Sequence, residues 1–167
     1  MNVWIMRHGE AGFNAGVDHQ RSLTEYGKKT ARSQGEWLGK RLANKEQQID
    51  KIIVSPFLRA QQTFEEVLKG LQAVNFDQKF TNSIQEKVES WEGVTPYGTP
   101  NSVLDYIRVL RESGVKNVLI ISHLPLVYEL VSYFTQHQSK VHFYPAVIAE
   151  IDWTTDNGKL IISEKPE

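Results

Sequence analysis

Short apolar runs alternate with amphipathic segments along this chain, and this alternation restricts the possible fold more than any other feature. The clearest runs are NVWIM (2–6), KIIVS (51–55) and KNVLIIS (116–122). Each is followed by a segment with helical spacing, which is typical of buried parallel strands connected by helices. The chain is therefore predicted to be a three-layer α/β/α protein, in which a mostly parallel central sheet has helices on both faces.

The segments between these runs predict the helices. Residues 24–43 place apolar side chains on one face and Lys and Arg elsewhere, and residues 56–71 show the same spacing. Further helices are predicted over 102–112 and directly after His123, where a proline stands just inside the helix start. A short additional strand is predicted near 78–84.

The last part of the chain predicts an antiparallel hairpin. The apolar segments AVIAEIDW (146–153) and KLIIS (159–163) flank an Asn157-Gly158 pair, which is a strong turn signal. No repeat, low-complexity segment or linker interrupts the pattern. We therefore expect a single domain over 1–167 that ends in a C-terminal antiparallel hairpin.

Composition argues against several classes of protein. The 19 basic and 20 acidic residues give a net charge of -1, which offers no bulk attraction to nucleic acid or anionic membranes. The chain has no cysteine, so it cannot build a disulfide framework, a zinc-thiolate site or a cysteine nucleophile. It shows no signal-peptide pattern and no apolar run near the roughly 18 residues of a membrane span. The expectation is a soluble, cytoplasmic monomer with no nucleic-acid or membrane partner.

Basic side chains follow three of the predicted strands. Arg7 and His8 follow the first strand, Arg59 comes shortly after the second, and His123 follows the strand at 116–122. Since ligands bind outside the carboxyl ends of the strands in an open parallel sheet, these four side chains can converge there. Each alone is more often a surface or core contact, but their shared position at one sheet edge favours a common site.

Two arginines and two histidines in one pocket indicate an anion site. Arginine presents a rigid, permanently charged fork that suits phosphate oxygens, and helix N-termini after Ser55 and Ser122 would add N–H donors. A neutral imidazole beside such a cluster can act as a nucleophile, with a pKa lowered by cations and raised by bound phosphate. This set therefore suits phosphoryl transfer to histidine and then to water.

The motifs RHGE, SPFLRAQQT and ISHLP, in this order, resemble those of the histidine phosphatase superfamily, also called phosphoglycerate mutase-like. The resemblance is strongest to its bacterial phosphohistidine phosphatases and extends from residue 1 to about 150. It implies a phosphoglycerate mutase-like fold with His8 as the covalent nucleophile. It also implies Arg7 and Arg59 as phosphate ligands and His123 as a further ligand that stabilises the transferred group.

Two further residues enter the predicted phosphate site through this resemblance. Arg21, in the segment RSLT, resembles an additional phosphate-facing arginine. Gly9 is expected to keep the backbone close to the site, because it has no Cβ. The resemblance implies no metal and no other cofactor, and HExxH, Walker A and EF-hand patterns do not occur in the sequence.

A general acid is expected in the loop between the second and third motifs, where many family members carry Glu or Asp. This chain has Glu86, Glu89 and Glu92 there. The bacterial branch has an acid directly before an apolar-Thr-Pro segment, but this chain has Gly93 at that position and Glu92 one step earlier. Glu92 is the first choice and Glu86 the second, while a solvated loop charge is the alternative for each.

Leaving-group chemistry favours a phosphohistidine substrate. An alkoxide, whose conjugate acid has a pKa of about 15, needs a proton donor, whereas an imidazole is protonated near pH ~6.5. Phosphohistidine cleavage therefore tolerates a poorly placed acid. The short segment between Arg59 and His123 also leaves little chain for a lid, which suits a phosphorylated side chain on a protein surface. By resemblance, the partner is a phosphohistidine-bearing phosphotransfer domain, a helical bundle of a sensor kinase.

Two other functions stay open on the sequence alone. One is a phosphatase of the same chemistry that hydrolyses small phosphate esters, which a longer lid or a firmly aligned acid would favour. The other is a module that binds phosphoproteins without turnover, which replacement of a core site residue would favour. A mutase is favoured less, because return of the phosphoryl group to a second hydroxyl needs an enclosed site.

Overall fold

The computed structural model describes residues 1–75 and 78–167, and the side chains of all of these except 78–81. Six strands form one sheet in the order β3-β2-β4-β1-β5-β6. The strands are β1 (Asn2–Arg7), β2 (Lys51–Val54), β3 (Val88–Ser90), β4 (Asn117–Ser122), β5 (Ile148–Asp152) and β6 (Lys159–Glu164). β3, β2, β4 and β1 run parallel, whereas β5 is antiparallel to β1 and to β6.

Helices connect the strands and cover both faces of the sheet. They are α1 (Glu25–Asn44), α2 (Leu58–Val74), α3 (Gln78–Glu86), α4 (Pro100–Glu112) and α5 (Leu126–Phe134). The predicted α/β class, with a mostly parallel sheet and a C-terminal hairpin, is thus confirmed. Within the described ranges, no helix combines the length and the apolar character that crossing a membrane requires.

Two hydrophobic cores lie on opposite faces of the sheet. In β1, Trp4 and Met6 pack into the core shared with α1 and α2, whereas Val3 and Ile5 pack into the core shared with α4 and α5. All four side chains are fully buried. This explains why the strand is apolar throughout rather than alternating, since both of its faces are covered by helices.

Three local predictions were wrong. Pro125 is the N-cap residue of α5 rather than a residue inside the helix, which begins at Leu126. The segment near 78–84 belongs to α3 rather than to a strand, and from Asn82 to Glu86 only Ile84 is buried, so no alternating strand face exists. The second helix starts at Leu58 rather than at the proline of SPFLR. There the Ser55 hydroxyl accepts a hydrogen bond from the Phe57 N–H (3.2 Å), a local turn that keeps both following residues outside the helix.

The sheet order brings the three motifs together. β4 lies between β2 and β1 and is parallel to both, with Arg7 paired to Ser122 and Val54 paired to Ile121 at the carboxyl ends. The loops that carry RHGE, SPFLR and ISHLP therefore leave the sheet from adjacent strands at one edge. This edge is where ligands bind in open parallel sheets.

Candidate active site

His8 directly follows β1 and is 7% exposed. Its N–H donates to the Ser122 carbonyl (3.0 Å), and its Nδ1 lies 2.7 Å from the carbonyl oxygen of Gly9. A carbonyl oxygen only accepts, so we assign the proton to Nδ1 and the lone pair to Nε2. The Nε–H of Arg59 donates to this Nε2 at 3.3 Å. The imidazole is thus held in the tautomer that a nucleophile needs.

Arg59, the second residue of α2, is 4% exposed. Its Nη1 donates to the Asp18 carbonyl (2.8 Å) and its Nη2 to the Asp18 carboxylate (3.2 Å). The guanidinium carbon lies 5.1 Å from the centre of the Phe57 ring, within cation–π range. The start of α2 therefore supplies a buried, oriented cation whose fork reaches both His8 and Asp18.

His123 follows β4, and the centre of its ring lies 5.0 Å from that of His8. Its Nε2 is 2.7 Å from the hydroxyl of Ser55, which already accepts the Phe57 N–H. We assign the Ser55 proton to this Nε2, which leaves the His123 proton on Nδ1. Among the residues that the structure describes, Nδ1 has no hydrogen-bond partner. It is a donor available to a bound oxygen.

Two further arginines complete the basic cluster. Arg7 donates from Nη1 to the Phe143 carbonyl (2.9 Å), and its Nε is buried without a partner in the described part of the chain. Arg21 donates from Nε to the Gly12 carbonyl (2.9 Å) and from Nη1 to the Asp18 carboxylate (3.1 Å). Three guanidinium groups therefore surround His8, as expected for a site that binds an anion.

Burial and positive charge keep both histidines neutral. Burial lowers the pKa of His8 to about 3, and the charges of Arg59, Arg7 and Arg21 lower it as well, although the backbone hydrogen bond raises it. Burial, followed by the electrostatic interactions with His8 and Arg59, lowers the pKa of His123 to about 2. At neutral pH the two imidazoles carry no charge, so the arginines supply the positive potential of the site.

These low pKa values predict a loss of stability in acid. The unfolded histidines titrate near pH ~6.5. Below that pH the unfolded chain therefore binds more protons than the folded one, and the free energy of unfolding falls as the pH falls. Each of the two groups contributes up to ~1.4 kcal/mol per pH unit between its two pKa values. Urea unfolding is measured at pH 7.5 and pH 5.5. The free energy of unfolding should fall less between these pH values for His123→Asn than for the wild type, and an equal fall would contradict the prediction.

Gly9 has a different neighbour from the one expected. A Cβ at this position would lie 2.8 Å from the Gly27 carbonyl oxygen of α1, so the missing side chain makes room for that helix. The Gly9 N–H donates to the Thr63 hydroxyl (3.0 Å), which in turn donates to the Arg59 carbonyl (2.7 Å). Gly9 therefore ties the His8 loop to α1 and α2, and its amide is already engaged.

Glu92 follows β3 in a short 3-10 turn, Glu92–Val94, and its side chain is exposed. Over the described residues, no hydrogen bond or ion pair joins its carboxylate to the histidines or arginines of the site. A Cβ at Gly93 would overlap the indole of Trp91, so a side chain at this position would require that ring to move. The turn still lies at the carboxyl edge of the sheet.

The two other glutamates have less direct access to the site. Glu89 lies within β3, forms an ion pair with Lys51 (3.1 Å) and accepts a hydrogen bond from the Tyr106 hydroxyl. Burial and this glutamate raise the pKa of Tyr106 to about 12. Glu86 is the last residue of α3 and is exposed. Glu89 is thus occupied by contacts with Lys51 and Tyr106. Glu92, in the turn that follows β3, stays the first candidate for the general acid.

The sequence reasoning missed Asp18 and Ser55. Asp18 bridges Arg59 and Arg21, so its carboxylate lies where the cluster would bind an anion. Partial burial raises the pKa of Asp18, but the hydrogen bonds from Arg21 and Arg59 lower this pKa by more, so it lies below its usual value. The spacing of Asp18 three residues before Arg21, and a serine at the end of β2, were the available signals.

Comparison with known proteins identifies the family. Residues 3–106 match the family described as the histidine phosphatase superfamily, branch 1. The chain belongs to the histidine phosphatase superfamily. A phosphohistidine phosphatase SixA homolog of Haemophilus influenzae is 44% identical over 165 residues, which cover 98% of this chain and 95% of that protein. SixA of Escherichia coli is 36% identical over 151 residues, or 90% of this chain and 84% of that protein.

A solved superfamily structure extends the similarity to three dimensions. The structure of the protein histidine phosphatase SixA complexed with tungstate matches with a TM-score of 0.83 and 35% identity, over 99% of this chain and 97% of that one. The family match ends at residue 106, before β4 and His123, whereas this structural match includes them. The family expected from the three motifs is confirmed.

Proposed function

We propose that this chain is a phosphohistidine phosphatase that acts through a covalent phospho-His8 intermediate. The observation that carries the proposal is the His8 imidazole, neutral and with its Nε2 lone pair directed at a buried arginine, beside His123 and three guanidinium groups. The SixA relatives, which carry the name phosphohistidine phosphatase, support the reaction class. The tungstate complex of SixA supports oxyanion binding by this fold.

In the first step, the Nε2 lone pair of His8 attacks phosphorus. The P–N bond of the substrate breaks, and its electron pair returns to the departing imidazole nitrogen. When the other ring nitrogen of that imidazole is protonated, it leaves as neutral imidazole and needs no acid at the breaking bond. The hydrogen bond from the Arg59 Nε–H then shifts from His8 Nε2 to a phosphoryl oxygen. Arg59 and Arg7 both stabilise the negative charge that develops on the phosphoryl oxygens.

In the second step, water attacks the phosphorus of phospho-His8. The new P–N bond breaks, its electron pair returns to Nε2, and both protons of the water leave with the product, dihydrogen phosphate. Because Nδ1–H stays bonded to the Gly9 carbonyl, the ring keeps its orientation through both steps. The Nδ1–H of His123 donates to a phosphoryl oxygen, which stabilises the transferred group.

The substrate that we propose is a phosphohistidine on a phosphotransfer domain of a sensor kinase, dephosphorylated in the cytoplasm. Asp18 is 49% exposed although it contacts the buried Arg59, so the cluster opens towards solvent. An accessible cluster suits a phosphorylated side chain presented by another protein. The phosphoryl group would take the place of the Asp18 carboxylate on Arg59 and Arg21, since both are anions that bind the same donors.

A side-by-side rate comparison tests the proposed function. Purified protein without added metal is given a phosphohistidine-bearing phosphotransfer domain and, separately, a panel of small phosphate esters. We expect selective loss of phosphate from the phosphotransfer domain, and no such loss with His8→Ala. Faster turnover of one small ester would reassign the chain to the small-molecule phosphatases of the same chemistry.

Replacing Glu92 by glutamine should distinguish leaving groups. If Glu92 is the general acid, its loss should slow hydrolysis of an alkyl phosphate by about 10²-fold, the lower range of general acid catalysis. Phosphohistidine hydrolysis should stay within about threefold, because its imidazole leaves without an acid. Rates are measured for both substrates, with Glu112→Gln, an exposed residue at the end of α4, as the matched control. Equal losses on both substrates would contradict the leaving-group argument.

A further inference from the structure

Exposed apolar side chains are concentrated around the candidate active site. Nine large apolar side chains are exposed among the residues that the structure describes. Seven of them lie on loops or helix starts at the edge of the sheet that carries the site, and one of the seven is Tyr26, in the first turn of α1. The other six, which we call the apolar rim, are Phe13, Val17, Leu58, Tyr97, Leu124 and Tyr144. Exposed apolar side chains gathered at one edge of a protein offer a surface that another macromolecule can cover.

Three rim residues are neighbours of groups of the site, one through a ring contact and two along the chain. The Phe13 ring lies under the Arg21 guanidinium, 4.3 Å from its carbon. Leu58 and Leu124 are next in sequence to Arg59 and His123. These three apolar side chains therefore lie beside Arg21, Arg59 and His123, the groups that would bind the phosphoryl group.

Tyr144 is fastened to the same loop as His8. The Ala146 N–H donates to the carbonyls of Arg7 (3.1 Å) and His8 (3.0 Å), and the Val147 N–H donates to the Tyr144 carbonyl (3.2 Å). This turn holds Tyr144 beside the end of β1, yet its side chain is 62% exposed. A large ring is thus presented to solvent from a rigid position.

Tyr97 is held against the end of β4 in a similar way. The Ser122 hydroxyl donates to the Val94 carbonyl (2.6 Å), and the Gly98 N–H donates to the Thr95 carbonyl (3.0 Å). The Tyr97 side chain at the tip of this turn is 80% exposed. Both tyrosines are therefore ordered by backbone contacts and have little to pack against within their own chain.

We propose that the apolar rim docks an apolar protein surface from which the phosphohistidine projects. This inference rests on the proposed function and names how its substrate is recognised. The arginine cluster is complementary in charge to the phosphoryl group, whereas the surrounding rim offers rings and aliphatic groups. A small phosphate ester rich in hydroxyl groups would find few polar partners on the rim. A protein surface with apolar side chains around the modified histidine would bury both tyrosines, the residue type enriched at interface anchors.

The test uses variants outside the proposed catalytic machinery. Tyr97→Ser/Tyr144→Ser removes two rim side chains, and Val109→Ser/Ile161→Ser removes two exposed apolar side chains on α4 and β6 as the matched control. Steady-state rates are measured with a phosphohistidine-bearing phosphotransfer domain and with free phosphohistidine. For the rim variant we expect a rise of about tenfold or more in KM for the protein substrate, on the scale of lost interface anchors. Its rates with free phosphohistidine, and both sets of rates for the control, should stay within about twofold of the wild type.

Each other outcome has a distinct meaning. If the wild type dephosphorylates neither substrate, the proposed function fails and the docking inference fails with it. If the wild type is active on the protein and the rim variant matches it, the docking inference alone is overturned. It is also overturned if sedimentation shows a wild-type dimer that the rim variant loses, or if only the wild type binds phosphatidylcholine vesicles, because a second copy or a membrane would then cover the rim.

Discussion

Replacement of His8 by alanine should abolish phosphohistidine hydrolysis while part of the phosphate binding persists. The imidazole Nε2 is the atom that would form the covalent bond, so its removal deletes the reaction path rather than one stabilising contact. The expected fall in kcat is at least about 10⁴-fold, the scale found when a covalent nucleophile is removed. Phosphate binding persists because Arg7, Arg59 and Arg21 still supply the donors.

Two measurements check this prediction. A ³²P-labelled phosphotransfer domain should leave an acid-labile, base-stable label on the wild type in a rapid quench, and none on His8→Ala. Calorimetric titration with inorganic phosphate should detect binding to both proteins. The exposed His137 provides a matched control, and His137→Ala should keep the wild-type rate. Turnover by His8→Ala, or a label that persists on it, would disprove the nucleophile assignment.

Replacement of Arg59 by alanine should raise the barrier by about 2.7–4 kcal/mol, the cost of removing one preorganised donor at a site of developing charge. The corresponding fall in kcat/KM is about 10²–10³-fold. Arg59 is 4% exposed, and its Nε lies 3.3 Å from the attacking nitrogen, so the charge acts where solvent screens it little. Loss of Arg59 also leaves the Asp18 carboxylate paired with Arg21 alone. A partly unpaired negative charge then lies near the phosphoryl group.

A graded set of variants checks the role of Arg59. Arg59→Lys keeps a charge but loses the planar fork, so its activity should lie between those of Arg59→Ala and the wild type. Arg108→Ala, a substitution on α4 that breaks ion pairs with Asp105 and Asp156, serves as the control and should leave kcat/KM unchanged. An unchanged rate for Arg59→Ala, with thermal unfolding like that of the wild type, would remove Arg59 from the site.

The fold class and the meeting of the motif residues followed from local patterns. Apolar runs of strand length alternate with helical spacing, and this arrangement allows few topologies. Arg7 is the last residue of β1, His8 and His123 each directly follow a strand, and parallel strands share one carboxyl edge. Their placement at one edge of the sheet therefore required no knowledge of the strand order, whereas their convergence depends on β4 lying between β2 and β1.

Local boundaries were harder to predict where tertiary contacts or side-chain turns decide them. The start of α2 depends on the Ser55 hydroxyl, which holds Phe57 in a turn, and composition alone does not reveal this bond. The segment from Gln78 to Glu86 is helical although its sequence was too mixed in character to distinguish helix from strand.

The sequence by itself determined the α/β class, the C-terminal hairpin and the set of basic residues at the sheet edge, because these depend on periodicity and on neighbours along the chain. Only the tertiary structure decided the tautomer of His8, the bridge from Asp18 to Arg59 and the pairing of Ser55 with His123. The Asp18–Arg59 and Ser55–His123 contacts join residues 41 and 68 positions apart, whereas the His8 tautomer depends on how the packed loop orients the carbonyl of the next residue. Their existence depends on distances of a few tenths of an ångström, which are set by how the loops pack and not by any local pattern.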